Sequence, residues 1–403
     1  MPTPEADAAS DAIASEAAAA EAAEAARAEA LRVATARDET LRAARAVGGM
    51  AHQGLMRWTA LVFLGSLASF AAGRPDAALF LAVAGMFALC HSWDARDRAR
   101  TGDPFTDGPL IPGDVGHALR LGVPLLTPLI GAIFYFGFGT YARTLDTSPA
   151  HVAASNWCFA AVLLCLALAI PTVTRAVARV LLRGSPATHT VRLTTSLSVL
   201  VLLLPVPVRL LFDEFLNVLT TQSRPLADVG GLVAQLIGEV LFAAAAVGLW
   251  VARDLRAVRD RLGLGRMGTR EWLVAAAGLA AVIGLNSGME WFERTHLHNL
   301  WAEDQAMGKL IVGELSLAGV LALGVSAGVG EELLVRGALQ PRVGVMWASV
   351  LFAAGHVQYT WFGMLTILLL GLALGLVRRF ANTTTAITVH ALYDIVAAIG
   401  TTS

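Results

Sequence analysis

Long apolar runs separated by short charged loops constrain this chain more than any other feature. The runs lie at about Trp58–Gly73, Ala77–Trp93, Leu119–Tyr141, Ser155–Val173, Leu193–Leu211, Val229–Val251, Trp272–Asn286, Leu310–Val329, Val343–His356, Tyr359–Val377 and Thr384–Gly400. A helix crosses a bilayer with about 20 mostly apolar residues. Apolar residues make up 56% of the 403 and charged ones 15%, against about 45–50% and 25% in an ordinary soluble domain. The expected fold is therefore all-α, a polytopic transmembrane helical bundle of about eleven spans.

Charge orders the loops. Arg96, Arg98 and Arg100 follow the second run; Arg175, Arg179, Arg183 and Arg192 the fourth; Arg253, Arg256, Arg259, Arg261, Arg266 and Arg270 the sixth; Arg336 and Arg342 the eighth; Arg378 and Arg379 the tenth. Intervening loops carry few basic residues: Arg74, Arg143, Arg224, Arg294 and Lys309. Because basic loops favour the cytoplasmic side, the N-terminus is expected in the cytosol, in a multi-pass protein of the bacterial inner (cell) membrane. An odd number of spans then leaves Ser403 outside. Residues 1–56 form an Ala-rich, charged cytosolic tail, helical or partly disordered, without the apolar stretch of a removable signal peptide. Residues 57–266 form a six-span region with almost no buried ionisable residue, and residues 267–403 hold everything that resembles chemistry. The net charge of −1 gives no sign of a nucleic-acid partner. Cys90, Cys158 and Cys165 lie in or beside apolar runs without metal-ligand spacing and read as small buried hydrophobes. Met289–Gly308, with Trp291, His296, His298 and Trp301, reads as an interfacial loop.

Ionisable groups inside spans are expensive, so they are usually functional or paired. Three adjacent runs accumulate them. Glu332 and Arg336 are four apart, on one helical face, and can pair. Glu331 is turned about 100° away and is left as an uncommitted carboxylate suited to general-base work. Phe352 and His356 share a face, as do His390 and Asp394, and Asp394 can fix the tautomer that His390 presents. Glu331, His356 and His390 can converge in the bundle interior.

In this order, E-E-x-x-x-R at Glu331, Glu332 and Arg336, F-x-x-x-H at Phe352 and His356, and H-x-x-x-D at His390 and Asp394 resemble the signature of the CPBP intramembrane protease family. That family includes the CAAX-type prenyl endopeptidases and bacteriocin-processing or immunity members. The resemblance covers roughly residues 310–400. It implies an endopeptidase acting on a membrane-anchored protein or peptide, with a polar cavity open to the cytosol. By the same resemblance Glu331 and His356 activate a water, while His390 and Asp394 stabilise the oxyanion. The best-known members carry Asn where this chain has Asp394. Asn donates a hydrogen bond and an ionised Asp does not, so either Asp394 is protonated or it orients His390. Glu331, His356 and His390 would also serve as a His₂Glu zinc set, and a metal-free glutamate mechanism stands equally open.

Gly324–Gly328 fits G-x-S-x-G around Ser326, but inside an apolar helical run, where helix packing through small residues explains it better. No H-E-x-x-H occurs. Beside the endopeptidase stand a catalytically inactive immunity or scaffold protein and a transporter. A transporter calls for paired broken helices in two halves, and the first half is bland.

Overall fold

Prolines and short polar caps punctuate the chain, and the helices begin where they fall. Pro75, Pro149, Pro171 and Pro205 each open a helix, where the missing N–H is no loss. Ser148, Thr188, Asp228, Asp254, Ser316 and Thr360 cap the helices that follow them, each accepting a hydrogen bond from a backbone N–H. In a computed structural model, described over residues 4–98, 113–145, 147–182, 188–220, 227–313 and 315–402, this yields sixteen α-helices and one π-helix among the described residues. They are α1 (Pro4–Ala71), α2 (Pro75–Arg98), α3 (Gly113–Leu145), α4 (Pro149–Leu168), α5 (Pro171–Leu181), α6 (His189–Leu203), α7 (Pro205–Leu210), α8 (Phe212–Thr220) and α9 (Val229–Ala246). There follow α10 (Leu255–Leu262), α11 (Thr269–His296), α12 (His298–Val312), α13 (Leu317–Glu332), the π-helix Leu333–Leu339, α14 (Gln340–Ala354), α15 (Trp361–Phe380) and α16 (Thr383–Thr402).

Ten of the helical stretches among the described residues are long and apolar enough to cross a membrane, and the protein is an all-α polytopic bundle. The difference from eleven lies at Leu317–Ala354, one continuous helical stretch in place of two separate runs. It does not run straight. Phe352 and Arg336 are sixteen residues apart, about 24 Å along an ideal helix, yet the Arg336 guanidinium sits 4.6 Å from the Phe352 ring centre. The chain turns back at Gly344, whose φ of 83° and ψ of 172° suit a residue without a Cβ. The arm beyond it, ending at Ala354, is too short to span a bilayer by itself.

Met289–Gly308, expected as an interfacial loop, is not a loop. It is helical apart from a break at Leu297. Two of its acids are used inward: Glu293 is buried, and Asp304 accepts from the Thr360 backbone N–H and hydroxyl, both at 2.7 Å. Burial pushes the Asp304 carboxyl up from its usual range, while the bonds from Thr360 oppose that shift. His296 packs on Phe292, ring centres 4.7 Å apart.

The tail, whose outcome was open between helix and partial disorder, continues directly into the first span as α1. Helix α9 lies between the halves, packing on α2 and on α13. One apolar core, including Trp58, Phe87, Leu193, Val247, Leu262 and Leu333, runs across position 266. Cys90, Cys158 and Cys165 are free and buried. Ser326 is interior to α13 and donates to the Leu232 carbonyl at 2.8 Å. Gly328 lets α13 approach α16, for a Cβ there would lie 2.7 Å from the Ala391 nitrogen. The elbow pattern is thus a packing seam.

Arg253, before α10, Arg342, in the first turn of α14, and Arg378, in the last turn of α15, all lie near enough to Arg261 to act on its charge. Basic residues that follow three different apolar runs therefore lie near one another. Arg100, Arg183, Arg224 and Ser403, used in the charge reading, lie outside the described residues. A reporter fused after Arg259 is expected to read as cytosolic and one fused after Leu145 as external. The reverse pattern at both sites overturns the N-in orientation.

Candidate active site

Helix α13 carries Glu331 and Glu332 on its last turn, and the π-helix begins at the next residue. Such wide turns are rare and frequent at functional sites. Here the turn leaves backbone carbonyls available, and the Arg261 guanidinium donates to Gly337 O at 3.1 Å. It also sets Arg336 wholly inside the protein. Arg336 pairs with Glu332 at 3.1 Å, both side chains fully buried, and donates to the Gly371 carbonyl at 3.0 Å. Gly371 has no side chain to shield that carbonyl; a Cβ there would meet Phe352 and Ser349 at 3.3 Å.

Glu332 has a second partner that helical spacing alone does not show. His390 Nδ1 lies 2.9 Å from Glu332 Oε1. The other ring nitrogen, Nε2, faces Asp394 Oδ2 at 3.4 Å and Glu331 Oε2 at 4.0 Å. The tautomer-fixing contact expected of Asp394 is therefore replaced by the shorter one from Glu332. Nδ1 is thus hydrogen-bonded to one carboxylate while Nε2 stands opposite a second. Glu331 and Asp394 are each 21% exposed at the side chain, whereas Glu332 is fully enclosed. Glu331 is thus the open member of the acidic pair.

His356 follows α14 and sits against Phe352, ring centres 4.6 Å apart. Its Nδ1 lies 2.8 Å from the Phe352 carbonyl, which makes that nitrogen the donor and leaves Nε2 as the acceptor. The Phe352 ring also stands edge-on to His390 at 6.0 Å, so one phenyl ring walls both histidines. Among the described residues no direct hydrogen bond joins His356 to Glu331.

A zinc site needs donors converging at about 2.0–2.2 Å from one point. Among the described residues no three His, Cys, Asp or Glu side chains are grouped to hold a metal ion.

Two residues beyond the sequence motifs border the site. Tyr359, in the loop after His356, has its phenol pushed up first by burial and then by Asp394, Asp304 and Glu331. Glu239 on α9 is buried and close enough to Glu331 and His390 to interact with both charges. The six-span region is therefore not empty of buried acids. An isolated Glu in the run Val229–Val251 was the available signal.

Residues 313–396 match the family model of the type II CAAX prenyl endopeptidases, Rce1-like. Over this stretch the C-terminal membrane region is similar to that family. The family so described is one of prenyl endopeptidases, which are hydrolases. The Rce1-like match holds Glu331, Glu332, Arg336, Phe352, His356, His390 and Asp394 and stops short of Glu239. YpbD of Bacillus subtilis (strain 168), described as uncharacterized, is 29% identical over 160 residues, covering 39% of this chain and 82% of the relative. No solved structure matches the chain.

Proposed function

We propose that this protein hydrolyses a peptide bond in a membrane-anchored protein or peptide, of the CAAX or prenylated kind that the family description names. The observation that carries this reading is the division of labour between the two adjacent glutamates. Glu332 is held by Arg336 and His390, while Glu331 stays free and faces His390.

A water placed between Glu331 and His356 Nε2 has an acceptor for each of its hydrogens. Glu331 takes one proton as the water oxygen attacks the scissile carbonyl carbon. The carbonyl oxygen becomes an oxyanion, and the His390 Nε2–H is the donor beside it. When the tetrahedral species collapses, the C–N bond breaks and the proton held by Glu331 passes to the leaving amine. Asp394 faces that same nitrogen at 3.4 Å as a further carboxylate and does not donate. Arg336 does not touch the reacting atoms in this scheme; it fixes Glu332, which fixes His390. The active-site mouth is assigned to the cytosolic, arginine-bearing side, and the N-terminus to the cytosol.

The test is an unbiased comparison of membrane-protein C-termini in cells with and without the protein, repeated with purified protein and a candidate peptide in the presence of a strong chelator. Shortened C-termini that depend on the protein, and cleavage that survives the chelator, are the expected results. Identical termini in both cell lines favour an inactive immunity or scaffold protein. Loss of cleavage on chelation, restored by zinc, overturns the metal-free scheme.

A further inference from the structure

Glu239 is an acid in the middle of α9, a span whose other residues are Val, Gly, Leu, Ala, Gln, Ile and Phe. It is 6% exposed. One of its oxygens, Oε1, accepts from the Gln235 side chain at 3.0 Å. The other, Oε2, is buried without a partner. That oxygen is pressed against Gly330, the residue before Glu331: a Cβ added at Gly330 would lie 1.9 Å from it. Any side chain at position 330 would drive the carboxylate away.

Buried carboxylate oxygens are nearly always hydrogen-bonded, and a bound water supplies the bond where polar groups converge on a small space. Here Glu239 Oε2 lies against Gly330, one residue before Glu331, and its carboxylate is within electrostatic reach of Glu331 and His390, which stand on two other helices. We infer that Glu239 is a positioning residue for Glu331, joined to it through one bound water that donates a hydrogen bond to each carboxylate. The bridge aims Glu331 at its substrate water, as partners behind a reacting group commonly do. It makes the six-span region part of the active site, because Glu239 lies outside the Rce1-like stretch of residues 313–396. Gly330 is the residue that lets the two halves meet closely enough.

The inference rests on the proposed hydrolysis, and the test separates the two. Full-length protein carrying Glu239→Gln, Glu239→Asp, Glu239→Leu or Glu331→Gln is purified, and cleavage is measured per folded molecule alongside thermal stability. Glu239→Leu is expected to lose about 10–100-fold in kcat with KM little changed. Glu239→Asp and Glu239→Gln are expected to recover part of it, since both keep an accepting oxygen. Equal kcat in wild type and Glu239→Leu, with Glu331→Gln inactive, overturns the role of Glu239 and leaves the protease reading standing. A high-resolution structure of the wild-type chain gives a second readout that needs no activity. Density for a water within hydrogen-bond distance of both Glu239 and Glu331 supports the bridge, even if no substrate is cleaved. A Glu239 carboxylate with no water on Oε2, or turned away from Gly330, overturns it.

Discussion

Glu331→Gln is expected to leave an abundant, folded membrane protein that no longer cleaves its substrate. The amide keeps the size of the side chain and its place at the end of α13, and His390, 4.0 Å from Glu331, keeps Glu332 and Asp394 as its nearer carboxylates. The loss falls on proton transfer: an amide cannot accept the proton of an attacking water. Removing a general base lowers rates by about 10²–10⁴-fold. The measurement is product formed per amount of folded protein, with thermal stability as the control. If Glu331→Gln stays active while Glu332→Gln, at equal abundance, is inactive, the roles of the two acids are exchanged.

Glu332→Gln is expected to act on the fold. Arg336 and Glu332 are both fully buried, and breaking one side of such a pair leaves a charge with no counterpart, at about 3–5 kcal/mol. Whole domains are stable by only about 5–15 kcal/mol, so abundance and thermal midpoint should both drop. Replacing both partners, Glu332→Gln with Arg336→Met, removes the stranded charge and is expected to restore much of the abundance. It is not expected to restore cleavage, because the carboxylate on His390 Nδ1 is still missing. A single Glu332→Gln variant as stable as wild type would show that the pair does not hold the helix.

The parts of this molecule that could be read from sequence are those governed by local periodicity. Glu332 and Arg336 pair because a four-residue step keeps them on one face, and the same step brings Phe352 to His356. The contact between His390 and Glu332 spans 58 positions and depends on how α16 packs against α13, which no local rule contains. Asp394 was the natural guess for that role because it is near in sequence; Glu332 holds it because it is nearer in space. Glu239 passed unnoticed because a single acid in an apolar run carries no pattern. The segment after Met289 looked like a loop because its aromatic and charged residues suit an interface, yet they suit an amphipathic helix equally well. The reversal at Gly344 turns on one backbone angle, and glycine in an apolar helix more often marks close packing than a bend.

The place of His390 on the last helix has a consequence for biosynthesis. Chains are made from the N-terminus, and their parts fold in that order. Glu332 and Arg336 emerge together and can neutralise one another as their helix enters the bilayer. His390 follows 58 residues behind its partner, so until α16 has left the ribosome the nascent chain lacks the ring that completes the constellation. The proposed site is thus complete only once α16 has packed against α13.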